Sequence, residues 1–236
     1  MWSLWNHDAK KLAQYPYLFL ISFFKNFYSL PSLQPNSIMK QFLHVGCGPQ
    51  NKTSIKGFNH SDWSEVRFDI DPQVNPDIEG TLTDMTLVKT SSMDALFSSH
   101  NIEHVYPHEV PMALKEFLRV LKDDGFVVLT CPDLQTVCEA IVKDQLIEPL
   151  YQSPAGPISP IDILYGHRGF IAQGNTYMAH KGGFTAKSLT QVFSQSGFKQ
   201  ILTARRPSAF DLWIYASKVE LAESEAKAKA LQYFPT

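Results

Sequence analysis

The sequence predicts an α/β fold, a mostly parallel seven-stranded sheet flanked by helices and completed by an antiparallel hairpin near its C-terminal end. Three observations carry this expectation. From Gln41 onward, short apolar runs alternate with helical segments, the pattern of strands joined by crossovers. The first run, Phe42 to Val45, closes in Gly46-Cys47-Gly48-Pro49, a glycine-rich turn at the carboxyl end of a strand. Near the C-terminus two apolar runs are separated only by a turn around Arg206-Pro207-Ser208, which suits antiparallel neighbours and not a crossover.

In chain order, residues 1–38 read as an aromatic-rich arm. Its apolar stretch Tyr15 to Phe24 follows Lys10 and Lys11, but Lys25 and Asn26 come next and no small-residue cleavage site is present. The stretch also falls well short of the roughly 20 residues of a membrane span. The domain proper is expected over residues 39–218. After Phe42 to Val45, strands are read at Val66 to Ile70, Ala95 to Ser98 and Phe126 to Cys131. Between the last two, Val110, Ala113, Leu114, Phe117, Leu118 and Leu121 recur at helical spacing, which predicts a helix over Glu109 to Lys122 with one buried face. Gly125 is expected to close it in a left-handed cap. Residues 146–181 are rich in proline and glycine and long for a connection, so they read as an insertion over the cleft. Thr185 caps a helix that ends at Gly197. Strands at Phe198 to Thr203 and Leu212 to Ala216 follow, and residues 219–236 form a helical tail, solvated apart from a thin apolar stripe.

Composition narrows the partners. A formal net charge of -2, without a run of like charges, offers no electrostatic footprint for a phosphate backbone, so nucleic-acid binding is not expected. Cys47, Cys131 and Cys138 are too few and too irregular for a disulfide framework, which points to a reducing, cytoplasmic setting. His100, His104 and His108 recur every fourth residue, but Pro107 breaks the helix that would align them, so no metal site is expected. Cys131 reads as a buried strand-end residue without the cationic surroundings that would activate a thiol.

The glycines at 46 and 48 leave room for a ligand to approach the backbone of the turn. Asp69 closes the second strand about twenty residues further on, where a carboxylate can accept the two hydroxyls of a ribose; Asp71 is the competing acid. With these residues in view, Leu43 to Pro49 resembles the first motif of the class I S-adenosylmethionine-dependent methyltransferases, in the small-molecule, type 11-like branch. Arg67-Phe-Asp-Ile-Asp-Pro72 resembles their second motif, Leu82-Thr-Asp-Met85 their third, Ala95 to His100 their fourth strand, and Arg119 to Gly125 their helix exit. The resemblance covers residues 41–217. It implies a Rossmann-like fold, S-adenosyl-L-methionine as cofactor and an acceptor that is a small molecule. The cofactor would be held by Gly46, Cys47, Gly48, Asp69, Ile70, Asp84, Met85, Ser99 and His100, with Asp84 on the adenine amino group and the Met85 amide on the ring. Pro49 and the polar Gln50 to Ser54 stand where the first helix of the family starts, so that helix is expected to be short or missing.

Methyl transfer from a sulfonium needs chiefly an aligned acceptor, and a base where the acceptor carries a proton. His104, His167 and His180 are the candidates for that base, the last two from the insertion. A competing function keeps the fold and binds the cofactor without turnover, as a scaffold or regulatory partner. A nicotinamide-dependent oxidoreductase is the weaker alternative, because the third glycine of its fingerprint is absent. The acceptor, the methylated atom and the oligomeric state, a homodimer included, stay open at this level.

Overall fold

The structure, a computed structural model, describes residues 39–235; the expected N-terminal arm lies outside them. Strand β1 (Lys40–Val45) runs parallel to β2 (Trp63–Asp69) on one side and to β4 (Met93–Ser99) on the other. The short β3 (Ile78–Glu79) extends the edge beyond β2, and β5 (Leu121–Pro132) pairs parallel with β4. Strands β8 (Gln200–Arg206) and β9 (Asp211–Ser217) finish a seven-stranded sheet of order β3-β2-β1-β4-β5-β9-β8. Only β9 runs against its neighbours, pairing antiparallel with both β5 and β8. The hairpin inferred from two successive strands is thus present, turned by a 3-10 turn at Pro207–Ala209.

The two faces of the sheet are covered differently. Leu43, Val45, Leu96, Val127, Leu129, Leu212 and Ile214 point to one side, where helix α1 (Val110–Val120) lays Ala113, Leu114 and Phe117 on them and helix α5 (Ala186–Ser196) lays Leu189 and Phe193. On the alternate positions, Phe42, Ala95, Phe97, Val128 and Tyr215 point to the other side. No α-helix lies between β1 and β2, where a single 3-10 turn, Lys52–Ser54, replaces the first helix. Ile55, Phe58 and Trp63 cover that face instead, together with α6 (Glu223–Tyr233). The thin stripe of α6 is Ala226, Ala230 and Tyr233, all buried while the rest of the helix faces solvent.

One expectation fails locally. Helix α1 stops at Val120 and enters β5 directly, with Leu121 already extended. Gly125 lies within the strand and does not take the left-handed conformation of a cap. The residues Lys122 to Asp124 are absorbed as an irregularity in the β4–β5 register, which steps from Met93 opposite Leu121 to Ala95 opposite Phe126. A short connection into a parallel partner left no room for a separate cap. The cap at the other helix is as read: Thr185 accepts a hydrogen bond from the Ser188 amide, and Gly197 closes α5 with φ of 115°.

After β5, helix α2 (Leu134–Ile141) leads into the insertion. It consists of the hairpin β6 (Tyr151–Ser153) and β7 (Gly156–Ile158), then α3 (Pro160–Tyr165) and α4 (Arg168–Ala172). Asp162 braces it: its carboxylate accepts from Ser159 Oγ at 2.6 Å and from Arg168 Nε at 2.7 Å. Although burial favours the neutral acid, these donors hold the Asp162 carboxyl well below the usual range. Its pairing with Arg168 ties the start of α4 to the start of α3.

Candidate active site

The carboxyl ends of the parallel strands β1, β2 and β4 open into a cavity of about 930 Å³, the place where open α/β sheets accept ligands. Gly46 and Gly48 form its floor with φ of 65° and 51°, left-handed values that a side chain resists. A Cβ on Gly46 would stand 2.0 Å from Asn101 Nδ2, so the glycine is also what lets the β4 exit lie across the turn. At Gly48 a Cβ would meet only open space, which puts that backbone on the cavity surface.

Two side chains hold this turn in place of the missing helix. Asp69, only 9% exposed, accepts the Gly48 amide on Oδ2 at 2.8 Å and the Asp71 amide on Oδ1 at 2.9 Å. Each carboxylate oxygen keeps a lone pair for a further donor. On the outer side the Arg67 guanidinium donates to the carbonyls of Gly48, Gln50, Val74 and Asn75, joining the glycine turn to the loop after β2. Arg67→Met keeps the stem and removes these bonds. The expected result is about a tenfold loss of affinity for whatever the turn holds; calorimetry on the variant checks it, and wild-type affinity would show that the turn stands without its guanidinium.

The residues singled out from sequence fall into three places. Gly46, Gly48, Asp69, Ile70 and His100 line the main cavity, as does His104. Cys47 and Ser99 face a separate, smaller cavity of about 560 Å³ on the opposite side of the turn, lined also by Phe97, Trp213 and Tyr233. Burial pushes the Cys47 thiol up to about 11, so it is not a nucleophile at neutral pH. Asp84 borders a shallow depression outside the main cavity, where its carboxylate accepts the Thr86 amide. Met85 is fully buried, and its amide donates to Glu116 Oε2 at 2.9 Å, so it is not free to meet a ring. Thr81, Leu82 and Thr83, just before them, are the residues of this loop on the main cavity. Nothing in the motif distinguished the two positions, because the loop geometry depends on Arg119 binding the Met85 carbonyl from α1.

Of the three histidines proposed as bases, two meet. His104 and His180 stand with ring centroids 4.8 Å apart, edge to face. Their Nδ1 atoms lie 3.1 Å from the Ala179 carbonyl and 2.7 Å from the Ile163 carbonyl, so Nδ1 is the donating nitrogen of each ring. Burial lowers the pKa of His180 and favours its neutral form. His167 is elsewhere: it caps α4 by accepting the Phe170 amide and packs on the Phe170 ring. His108 stacks on Tyr106, away from the pair.

Beside the pair is Glu103, with no exposed surface. Its carboxyl oxygens have no hydrogen-bond partner; His100 Nδ1 is 3.5 Å from Oε1 and His180 Nε2 is 4.0 Å away. Burial favours its neutral acid, yet the imidazoles, His100 foremost, hold its carboxyl below the usual range. The Glu103 carbonyl in turn accepts the amides of Lys181 at 2.8 Å and Gly182 at 3.1 Å, which docks the end of the insertion on the β4 exit. Phe170 and the run Asn175 to Ala179 complete the wall opposite the strands.

Residues 43–129, from β1 through most of β5, match a family model described as a methyltransferase domain. Over this stretch the chain is similar to methyltransferase domains. Solved structures agree with this domain's fold. An S-adenosylmethionine-dependent methyltransferase from Methanosarcina mazei is 15% identical, with a TM-score of 0.50 over 77% of this chain and 93% of that one. A protein assigned to the same class from Listeria monocytogenes is 17% identical, with a TM-score of 0.51 over 79% of this chain and 93% of that one. No curated protein sequence matches the chain. Among the described residues, no helix is long and apolar enough to cross a membrane.

Proposed function

We propose that this domain transfers a methyl group from S-adenosylmethionine to a small-molecule acceptor. The observation that carries the reading is the continuity of one cavity from the glycine turn and Asp69 to the wall of the insertion. A cavity of this size accommodates two small molecules end to end.

The residues present fit the cofactor. The spare lone pairs of the Asp69 carboxylate suit a pair of ribose hydroxyls, and Ile70, 40% exposed, offers an apolar face beside it. Thr81 to Thr83 stand where the base would lie, while Gly46, Gly48 and His100 border the methionine end. When bound, the cofactor supplies an electrophilic methyl group on a positively charged sulfur. The chain has then to align an acceptor behind that methyl, keep water out and receive a proton where one is released. Tyr177 and Met178 of the insertion close the acceptor end, and Lys181 adds a cation there. The groups able to manage a proton are gathered at Glu103, His104 and His180. The three cysteines are free, which supports a cytoplasmic setting.

Titration of the full chain with S-adenosylhomocysteine, with NADH as control, tests the reading. Saturable binding of the first alone is expected, followed by its formation from S-adenosylmethionine in a panel of hydroxy, amino and carboxy metabolites. A folded protein that ignores both forms of the cofactor at millimolar concentration would sink the proposal. Binding without turnover would favour a silent scaffold.

A further inference from the structure

We infer that Glu103, His104 and His180 form a three-ligand site for a divalent transition-metal ion, open toward the methyl-transfer cavity. One ligand atom from each residue lies within 4.8 Å of the others. The donor chemistry leads to the same place. With Nδ1 of both histidines held by backbone carbonyls, Nε2 is the nitrogen each neutral ring offers to a metal. His180 Nε2 stands 4.0 Å from Glu103 Oε1, too far for a hydrogen bond. Glu103 is fully buried and both of its oxygens lack hydrogen-bond donors. Three ligand atoms, one from each side chain, therefore gather in one small volume around a carboxylate that has no hydrogen-bond partner. A single cation satisfies a donor from every side chain at once.

Backbone carbonyls on the far nitrogen of each ring are also the usual means of orienting metal-binding histidines. Two imidazoles and one carboxylate suit zinc and its first-row neighbours, whereas magnesium and calcium prefer oxygen alone. Zinc bonds of about 2.0–2.2 Å require tetrahedral donors roughly 3.4 Å apart, so loading draws the side chains inward by rotation. Three protein ligands leave a position free, as in catalytic zinc sites. Of the three, His104 borders the cavity, the side from which an acceptor would reach that position. An acceptor oxygen or nitrogen seated there is fixed in place and loses its proton to solvent more readily. This use rests on the methyl-transfer reading; the binding of the ion does not.

The experiment is titration of the chelator-stripped full chain with cobalt(II), following its visible ligand-field absorption, with zinc as competitor. The expected result is one cobalt per chain, displaced by zinc. Glu103→Gln, nearly isosteric, and His180→Ala should each weaken binding by more than the roughly 10- to 100-fold that loss of an outer-shell partner costs. His60→Ala, at an exposed turn, should leave it unchanged. Absence of cobalt absorption in the folded wild-type chain overturns the site, as does undiminished affinity in both ligand variants. S-adenosylhomocysteine titration of the same samples separates the two readings. Cobalt binding without cofactor binding leaves the site standing and removes methyl transfer; cofactor binding without cobalt does the reverse.

Discussion

Asp69→Ala should lower the affinity for S-adenosylhomocysteine by about 2 to 3 kcal/mol, or roughly 30- to 150-fold. Two losses combine in this expectation. The ribose would lose its charge-assisted acceptor, and the amides of Gly48 and Asp71 would lose the carboxylate that fixes the turn around the ligand. Asp71→Ala is the informative companion, since the Asp71 side chain only caps its own 3-10 turn through the Gln73 amide. It should bind within a few-fold of wild type. If the two variants exchanged phenotypes in calorimetry, Asp71 would be the acid that reads the ribose.

Phe58→Ala is expected to destabilise the fold by about 3 to 5 kcal/mol. Phe58 is fully buried and packs its ring on Phe42 at 4.3 Å, Tyr233 at 4.8 Å and Trp63 at 5.0 Å between centroids. It occupies sheet surface that the absent first helix would cover. Chemical denaturation measures the loss, and Phe58→Leu should recover much of it by refilling volume. A cost below about 1 kcal/mol would mean that α6 alone seals this face.

Much of the scaffold was legible because it follows from local pattern. The alternating strands, the buried stripe Val110 to Phe117, the cap at Thr185 and the hairpin at Pro207 each need only a few neighbouring residues to be specified. The positions of the glycine turn and of Asp69 were readable for the same reason: a turn with two glycines and an acid at a strand end occupy fixed places in such a sheet. Legibility stopped where placement depends on distant chain. Met85 is committed by Glu116 of α1, and no motif around Met85 announces that partner. Lone histidines carry no indication of which others they meet. His104 and His180 are joined through carbonyls of the insertion, while His108, in apparent register with His104, stacks elsewhere. Pro107 ruled out a row of imidazoles along one segment, and spacing could not show that the fold brings His104 and His180 together from two.

The insertion has a narrow neck. Gly166 pairs with Ala179, and a side chain at Gly166 would collide with the Met178 carbonyl at 1.9 Å, so the strands of the neck meet backbone to backbone. Immediately below, the His180 amide donates to the Tyr165 carbonyl. The residues between, 167–178, supply Phe170, Asn175, Tyr177 and Met178 to the cavity wall. They behave as a cassette clipped shut at its base. Lengthening or rewriting that cassette asks nothing of the sheet, the glycine turn or the Glu103 cluster. Under the methyl-transfer reading, the choice of acceptor would then be set by a module that can be exchanged without disturbing the apparatus beneath it.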